Sequence, residues 1–132
     1  MSNLKVHYLS QSVDWATPAW LYDELNAEFQ FNDDPCPLYG ALDQDGLSRP
    51  WGTSTYCNPP YGRTIGLWTR KAREEAGGGK TVVLLIPSRT DTRWWHEDIM
   101  TADEIRFVKG RLKFGEAKQG APFPSALAIW RN

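Results

Sequence analysis

The chain has 132 residues, 41% of them hydrophobic and 23% charged, which suits one globular domain with one core and excludes an intrinsically disordered chain. Its longest apolar run, Val82 to Ile86, is far too short to span a bilayer, and Met1 to Ser10 holds no apolar stretch of a signal peptide, so the expectation is a soluble intracellular protein. A formal net charge of −1 argues against strong non-specific affinity for nucleic acid, while leaving room for a local basic face.

Residues 1–13 read as a loose leader before a single domain over 14–132. Thr17-Pro18 has the signature of a helix start, with Thr17 as N-cap and Pro18 at the first helical position. Leu21, Leu25 and Phe29 follow at i, i+4 and i+8 and predict a helix over about residues 18–28. Residues 29–32 are a short strand candidate, and 38–52, with Gly40, Gly46, Pro50 and Gly52, read as loop with at most one short strand. Residues 53–57 form a second short strand, which two consecutive prolines must stop. Ile65, Trp68, Ala72 and Ala76 share a face of a helix over 64–76 that Gly77-Gly78-Gly79 ends. Residues 81–86 (TVVLLI) read as a strand buried on both faces of a parallel sheet. Thr92 caps a helix carrying Trp95, Ile99 and Met100, and 104–108, 112–114 and 125–130 are the final strands. Strands alternating with helices predict an α/β fold: a three-layer sandwich around a mainly parallel sheet. Ligands then bind beyond the carboxyl ends of the strands. Three polar clusters fall there: Asp33-Asp34-Pro35-Cys36, Asn58-Pro59-Pro60-Tyr61 and Ser88-Arg89-Thr90-Asp91.

Asn58-Pro59-Pro60-Tyr61 carries the sharpest chemistry. The lone pair of an amine on a planar ring or amide is delocalised, so its attack on an electrophile needs acceptors for the N–H protons. The Asn58 side-chain oxygen and the Pro59 carbonyl are two such acceptors, and the prolines hold them in place in advance. Tyr61 adds a ring face against which a planar group stacks. The alternative is a proline-stiffened turn with no chemistry. Cys36 and Cys57 suggest neither a disulfide framework nor a zinc site, and no metal is expected.

The motifs, taken together, resemble the phage-type DNA N-6-adenine methyltransferases. The resemblance runs through Asp14-Trp15-x-Thr17-Pro18-x-Trp20-Leu21, Phe29-x-Phe31-x-x-Asp34-x-Cys36, Asp45-Gly46-Leu47 with Trp51, and Cys57-Asn58-Pro59-Pro60-Tyr61-Gly62. It continues in Pro87-x-Arg89-Thr90-Asp91-Thr92-x-Trp94, Gly110-Arg111-Leu112-Lys113-Phe114 and Ala121-Pro122-Phe123-Pro124-Ser125. It implies a minimal class I, Rossmann-like methyltransferase that moves a methyl group from S-adenosylmethionine to N6 of adenine in DNA. Asn58, Pro59, Pro60 and Tyr61 would be catalytic, with the base flipped into their site. Asp34-Pro35-Cys36-Pro37 is similar to a cofactor loop of the pattern Asp-Pro-Phe-x-Gly-x-Gly, although only Gly40 follows here.

Expected cofactor residues are Thr17, Pro18, Asp34, Cys36, Asp45 and Asn58. Expected substrate residues are Arg63, Arg89, Thr90, Asp91, Trp95, Arg111 and Lys113. Trp94 and Trp95 are adjacent, so one packs inward and one is free to reach the site. Arg106, Lys109, Arg111 and Lys113 alternate along the late strands as a candidate phosphate-facing strip. DNA is the expected partner, with a duplex carrying a flipped adenine and a homodimer both left open. No segment is large enough for a separate target-recognition domain, so relaxed or short-site specificity is expected, from loops such as 88–96 and 109–124 or from a second subunit. Two other readings stay open: a methyltransferase for another planar amine (cytosine N4, an RNA base or glutamine), and a catalytically silent module that binds DNA or a partner.

Overall fold

The computed structural model describes residues 16–37, 45–114 and 120–132, and the expected leader lies outside them. In chain order the elements are α1 (Ala19–Phe29), α2 (Asp45–Ser48), β1 (Ser54–Cys57), α3 (Ile65–Gly77), β2 (Thr81–Pro87), α4 (Arg93–Glu97), a 3-10 turn (Ile99–Thr101), β3 (Glu104–Phe107) and β4 (Ser125–Trp130). Among the described residues no helix is long and apolar enough to cross a membrane.

The sheet order is β1-β2-β4-β3. β1 lies parallel to β2, from Ser54 opposite Thr81 to Cys57 opposite Leu84. β4 runs antiparallel to both its neighbours, with Val82 opposite Trp130 in one ladder and Glu104 opposite Ile129 in the other. The sheet is therefore mixed, which corrects the mainly parallel expectation: β1, β2 and β3 point one way and β4 is reversed between β2 and β3.

Continuous apolar runs in β2 and β4 reflect burial on both faces. On one face Cys57, Val82, Leu84, Ile86, Ala126 and Ala128 pack against Ile65, Trp68 and Ala72 of α3, Trp95 of α4, and Ile99. On the other, Tyr56, Val83, Leu85, Leu127 and Ile129 meet Leu21 and Leu25 of α1 and the side chains of Leu112, Phe114, Ala121 and Phe123. Each buried leucine here contributes roughly 1.5–3 kcal/mol of transfer free energy. Trp51 pins the end of α3 to this frame. Its indole N–H donates to the Gly46 carbonyl at 2.7 Å and its backbone N–H donates to Glu75 at 3.0 Å. Lys80 and Lys71 also pair with Glu75.

Four local readings change. α1 runs to Phe29, so 29–32 is not a strand; only Asp33 makes a single parallel bridge to Thr55. The 38–52 segment includes the one-turn helix α2, while residues 38–44 lie outside the described set. The helix after Thr92 stops at Glu97 and restarts as a 3-10 turn, because the Asp98 carboxylate is drawn inward to accept from Thr69 (2.7 Å) and Arg73 (2.7 Å). Met100 is left exposed. Residues 112–114 are not a strand. Their alternation places Leu112 and Phe114 in the core beside α1, while the Leu112 carbonyl accepts from Ala121 N at 2.8 Å.

Candidate active site

β1 delivers the Asn58-Pro59-Pro60-Tyr61 segment to the carboxyl edge of the sheet. The prolines have no N–H to continue the ladder, and Gly62, at φ 124°, turns the chain into α3. A side chain at Gly62 would be strained whatever the space around it. Asn58 Nδ2 donates to Thr17 Oγ1 at 3.2 Å. Thr17 Oγ1 also shares a hydrogen bond with the Tyr56 hydroxyl, the residue two before Asn58. Thr17 therefore does not cap α1: the N-cap position is Pro18, whose carbonyl accepts from Leu21 N and Tyr22 N, and no side chain caps the helix. The Thr17 hydroxyl is committed to residues 39 and 41 positions away instead.

The Tyr61 hydroxyl approaches the Leu85 carbonyl at 3.4 Å, and burial raises its pKa well above the ordinary phenol range, keeping it neutral. Its ring meets Phe123 edge-on at 5.3 Å and Phe114 at 6.2 Å. Beside it opens a pocket of about 250 Å³, lined by Tyr61, Gly62, Ile65, Pro87, Arg89, Trp94 and Phe123. An apolar cavity of about 150 Å³ takes a benzene ring, so this space suits a larger planar ring. Arg89 is exposed at the rim, its guanidinium 6.0 Å from the Phe123 ring centre.

The two aspartates before β1 have divided roles. Asp33 is structural: Arg49 donates to both its oxygens (2.7 and 3.0 Å) and Gly52 N donates at 2.8 Å. Burial alone would raise its pKa, but these bonds outweigh it and hold the carboxyl below its usual range. Asp34 sits deeper. Burial pushes its carboxyl up to about 6; the hydrogen bond from Cys36 N (3.2 Å) opposes this and neighbouring Asp33 adds to it. The charge of Asp34 acts on Tyr22, Tyr56 and Cys57. A positive charge nearby would offset the cost of burying this negative one.

The other expected residues divide as follows. Pro18 lies beside Thr17, and Cys36 presents its backbone N–H to Asp34 while its side chain is buried in the core. Asp45 opens α2. Arg63, Thr90 and Asp91 are exposed near the two strand ends, and the Thr90 carbonyl bonds His96 Nε2 at 2.8 Å. Arg111 and Lys113 are exposed on the segment after β3, with Arg111 donating to the Ala121 carbonyl at 3.3 Å. Trp95 is not at the pocket: it is 3% exposed and packs in the core, and Trp94 lines the pocket in its place. The Thr92 cap, accepting from Trp95 N at 3.2 Å, sets the helical phase that turns Trp95 inward. The expected phosphate strip does not form as a unit, since Arg106 is clamped by Glu28 (2.7 and 2.8 Å) and Glu104 (2.6 Å) over Phe29. Tyr56, Trp94 and Phe123 escaped assignment from the sequence. The last two stand in quoted motifs, whereas nothing local marks Tyr56.

Comparison with known proteins shows the family. The chain is 28% identical over 112 residues to a DNA N-6-adenine-methyltransferase of Haemophilus phage HP1 (strain HP1c1), covering 76% of this chain and 65% of that one. It is 28% identical over 110 residues to a DNA N-6-adenine-methyltransferase of Escherichia phage T1, covering 74% of this chain and 45% of the other. The matched part thus spans about half to two thirds of these relatives. Residues 5–131 match the family described as DNA N-6-adenine-methyltransferase (Dam), and with nearly the whole chain inside that match, the protein belongs to this family.

Proposed function

We propose that the protein transfers a methyl group from S-adenosylmethionine to N6 of adenine in DNA, on a minimal class I, Rossmann-like methyltransferase fold. The observation that carries this reading is Asn58-Pro59-Pro60-Tyr61 at a strand end, whose last residue, Tyr61, lines a ring-sized pocket with Trp94 and Phe123. A flipped adenine in that pocket stacks on the aromatic rings, while the Asn58 amide oxygen and the Pro59 carbonyl accept the two N6 protons. Both acceptors favour the tetrahedral nitrogen that attacks over the planar one that does not. Proximity and alignment supply most of the rate.

The residues present suit the cofactor. Asp34 offers its buried carboxylate to a cationic group and accepts from the Cys36 backbone N–H, and Pro18 is assigned to the same side, while the Thr17 hydroxyl is engaged by Asn58 and Tyr56. Asp45, at the start of α2, is assigned to the ribose hydroxyls by analogy with nucleotide-binding sheets. When bound, the cofactor supplies a methyl on a positively charged sulfur, an electrophile that needs no covalent intermediate with the protein. Arg63, Arg89, Arg111 and Lys113, all exposed, are assigned to the phosphates of a duplex around the flipped base, with Thr90 and Asp91 at its edge.

The test is direct. The protein is incubated with DNA and isotopically labelled S-adenosylmethionine, and the DNA is digested to nucleosides. Labelled N6-methyladenine is expected, with a loss on the order of 100-fold or more for Asn58→Ala. Absence of N6-methyladenine, or an equal yield from Asn58→Ala, overturns the proposal. Label in N4-methylcytosine alone would move the reading to another planar amine.

A further inference from the structure

We propose that Thr17, held by Tyr56, is a positioning residue that fixes the side-chain amide of Asn58 with its nitrogen turned away from the reacting amine and its oxygen turned toward it. The proposal rests on the methyl-transfer reading above. An asparagine amide has two chemically different ends, and a half-turn about its last bond exchanges them. Only the oxygen end helps at N6. The nitrogen end would set a donor against the donors of the target amine and block the geometry.

Something must therefore choose between the two orientations. Asn58 lies just beyond the end of β1. Thr17 Oγ1, accepting from Asn58 Nδ2 at 3.2 Å, makes that choice. A hydroxyl can itself donate or accept, so it would serve either end unless its own proton were committed. Tyr56 offers a partner for that proton. Its hydroxyl is hydrogen-bonded to Thr17 Oγ1, and its ring is locked against Tyr22 (5.3 Å, edge-on) and Phe31 (5.4 Å). Where Thr17 is the donor of that bond, the remaining lone pairs of Oγ1 face Asn58 and accept only a donor. Tyr56 is 2% exposed, and burial keeps its hydroxyl neutral throughout the working pH range. The strand that presents the catalytic residue thus also carries, two positions earlier, the group that disciplines its rotamer.

The arrangement separates two roles for Thr17. A cofactor ligand would act on S-adenosylmethionine binding; a positioning residue acts on the methyl-transfer step. Thr17→Val removes the hydroxyl at nearly constant shape, Thr17→Ser restores it, and Tyr56→Phe leaves the ring packing and removes only its oxygen. Steady-state methylation, cofactor binding by calorimetry and thermal unfolding are measured on all three. Expected for Thr17→Val is a fall in kcat of about 10–100-fold, of the size that a misplaced reacting group produces. Its cofactor Kd and KM for DNA should stay within about twofold, with kcat restored by Thr17→Ser. Tyr56→Phe should lower kcat in the same direction by about 3–10-fold, consistent with loss of one orienting bond.

An unchanged kcat in Thr17→Val, or a raised cofactor Kd with kcat intact, overturns the inference. Failure of Thr17→Ser to restore kcat would overturn it as well. Wild-type protein without any N6-methyladenine product would instead overturn the methyl-transfer reading itself, so the two failures are distinct.

Discussion

Replacing Asp34 by asparagine isolates the electrostatic character of the proposed cofactor side of the site. The Asp34 carboxyl is displaced from an ordinary value of 3.8 to about 6, chiefly by burial. At about 1.4 kcal/mol per pH unit, this displacement of roughly two units corresponds to about 3 kcal/mol. The folded state binds the Asp34 proton more tightly than the unfolded chain does. The associated stability is therefore fully present below pH 3.8 and is lost as the pH rises through 6. The amide of the Asp34→Asn variant would keep an acceptor for Cys36 N and carry no charge, so the variant loses this slope. Urea or thermal unfolding without cofactor, from pH 4 to pH 8, should show Asp34→Asn gaining on the wild type as pH rises, by up to about 3 kcal/mol at pH 7.5. Calorimetry should show the reverse for ligand: S-adenosylmethionine binds the wild type more tightly as pH rises through 6, and Asp34→Asn binds it weakly throughout. Parallel stability profiles for the two proteins would refute the burial argument. Undiminished cofactor binding by Asp34→Asn would refute the assignment of its carboxylate to a cation.

The adjacent tryptophans should separate cleanly. Trp95→Ala is expected to cost about 3–5 kcal/mol in unfolding free energy, whereas Trp94→Ala should leave the melting temperature within a few degrees and lower kcat/KM for DNA by about tenfold. Equal losses of stability, or full activity in Trp94→Ala, would contradict the placement. Glu75 offers an acid-side test. Burial would raise its pKa, but Lys80, Trp51 N and Lys71 outweigh this and draw the carboxyl to about 2. Its stabilisation is thus complete above pH 5 and lost as pH falls toward 2. Glu75→Gln should be about 1–3 kcal/mol less stable at pH 7 in urea titrations and should lack that acid-side loss; a profile parallel to the wild type would count against the network.

How much of this the sequence disclosed depended on the range of the forces involved. The run Thr81 to Ile86 announced a doubly covered strand because burial on both faces leaves no alternation. The two prolines after Asn58 announced a strand end because they lack N–H donors. Strand direction left no such trace. Ser125 to Trp130 is as apolar reversed as forward, so the antiparallel β4 could not be told from a parallel one. Leu112 and Phe114 alternate like a strand, but alternation states only that two side chains face a core, here from an irregular segment beside α1. Thr17-Pro18 illustrates the same limit within the site. Its spelling is that of a helix cap, yet partners 39 and 41 residues away won the hydroxyl. The Trp94-Trp95 pair announced that one ring faces inward, and only the cap at Thr92 decided which.

The position of β4 also imposes an order of assembly. It is the last of the four strands along the chain, yet it lies between β2 and β3, so neither of these has its shared neighbour until residues 125–130 arrive. The β2–β4 ladder closes across residues 88–124, a long loop whose entropy must be met before any pairing is gained. During synthesis β2 therefore emerges with one hydrogen-bonding edge open and an apolar run exposed, the condition under which strands find foreign partners. A chain interrupted just before Ser125 would keep every residue assigned to chemistry and still lack the strand that joins the two halves of its sheet.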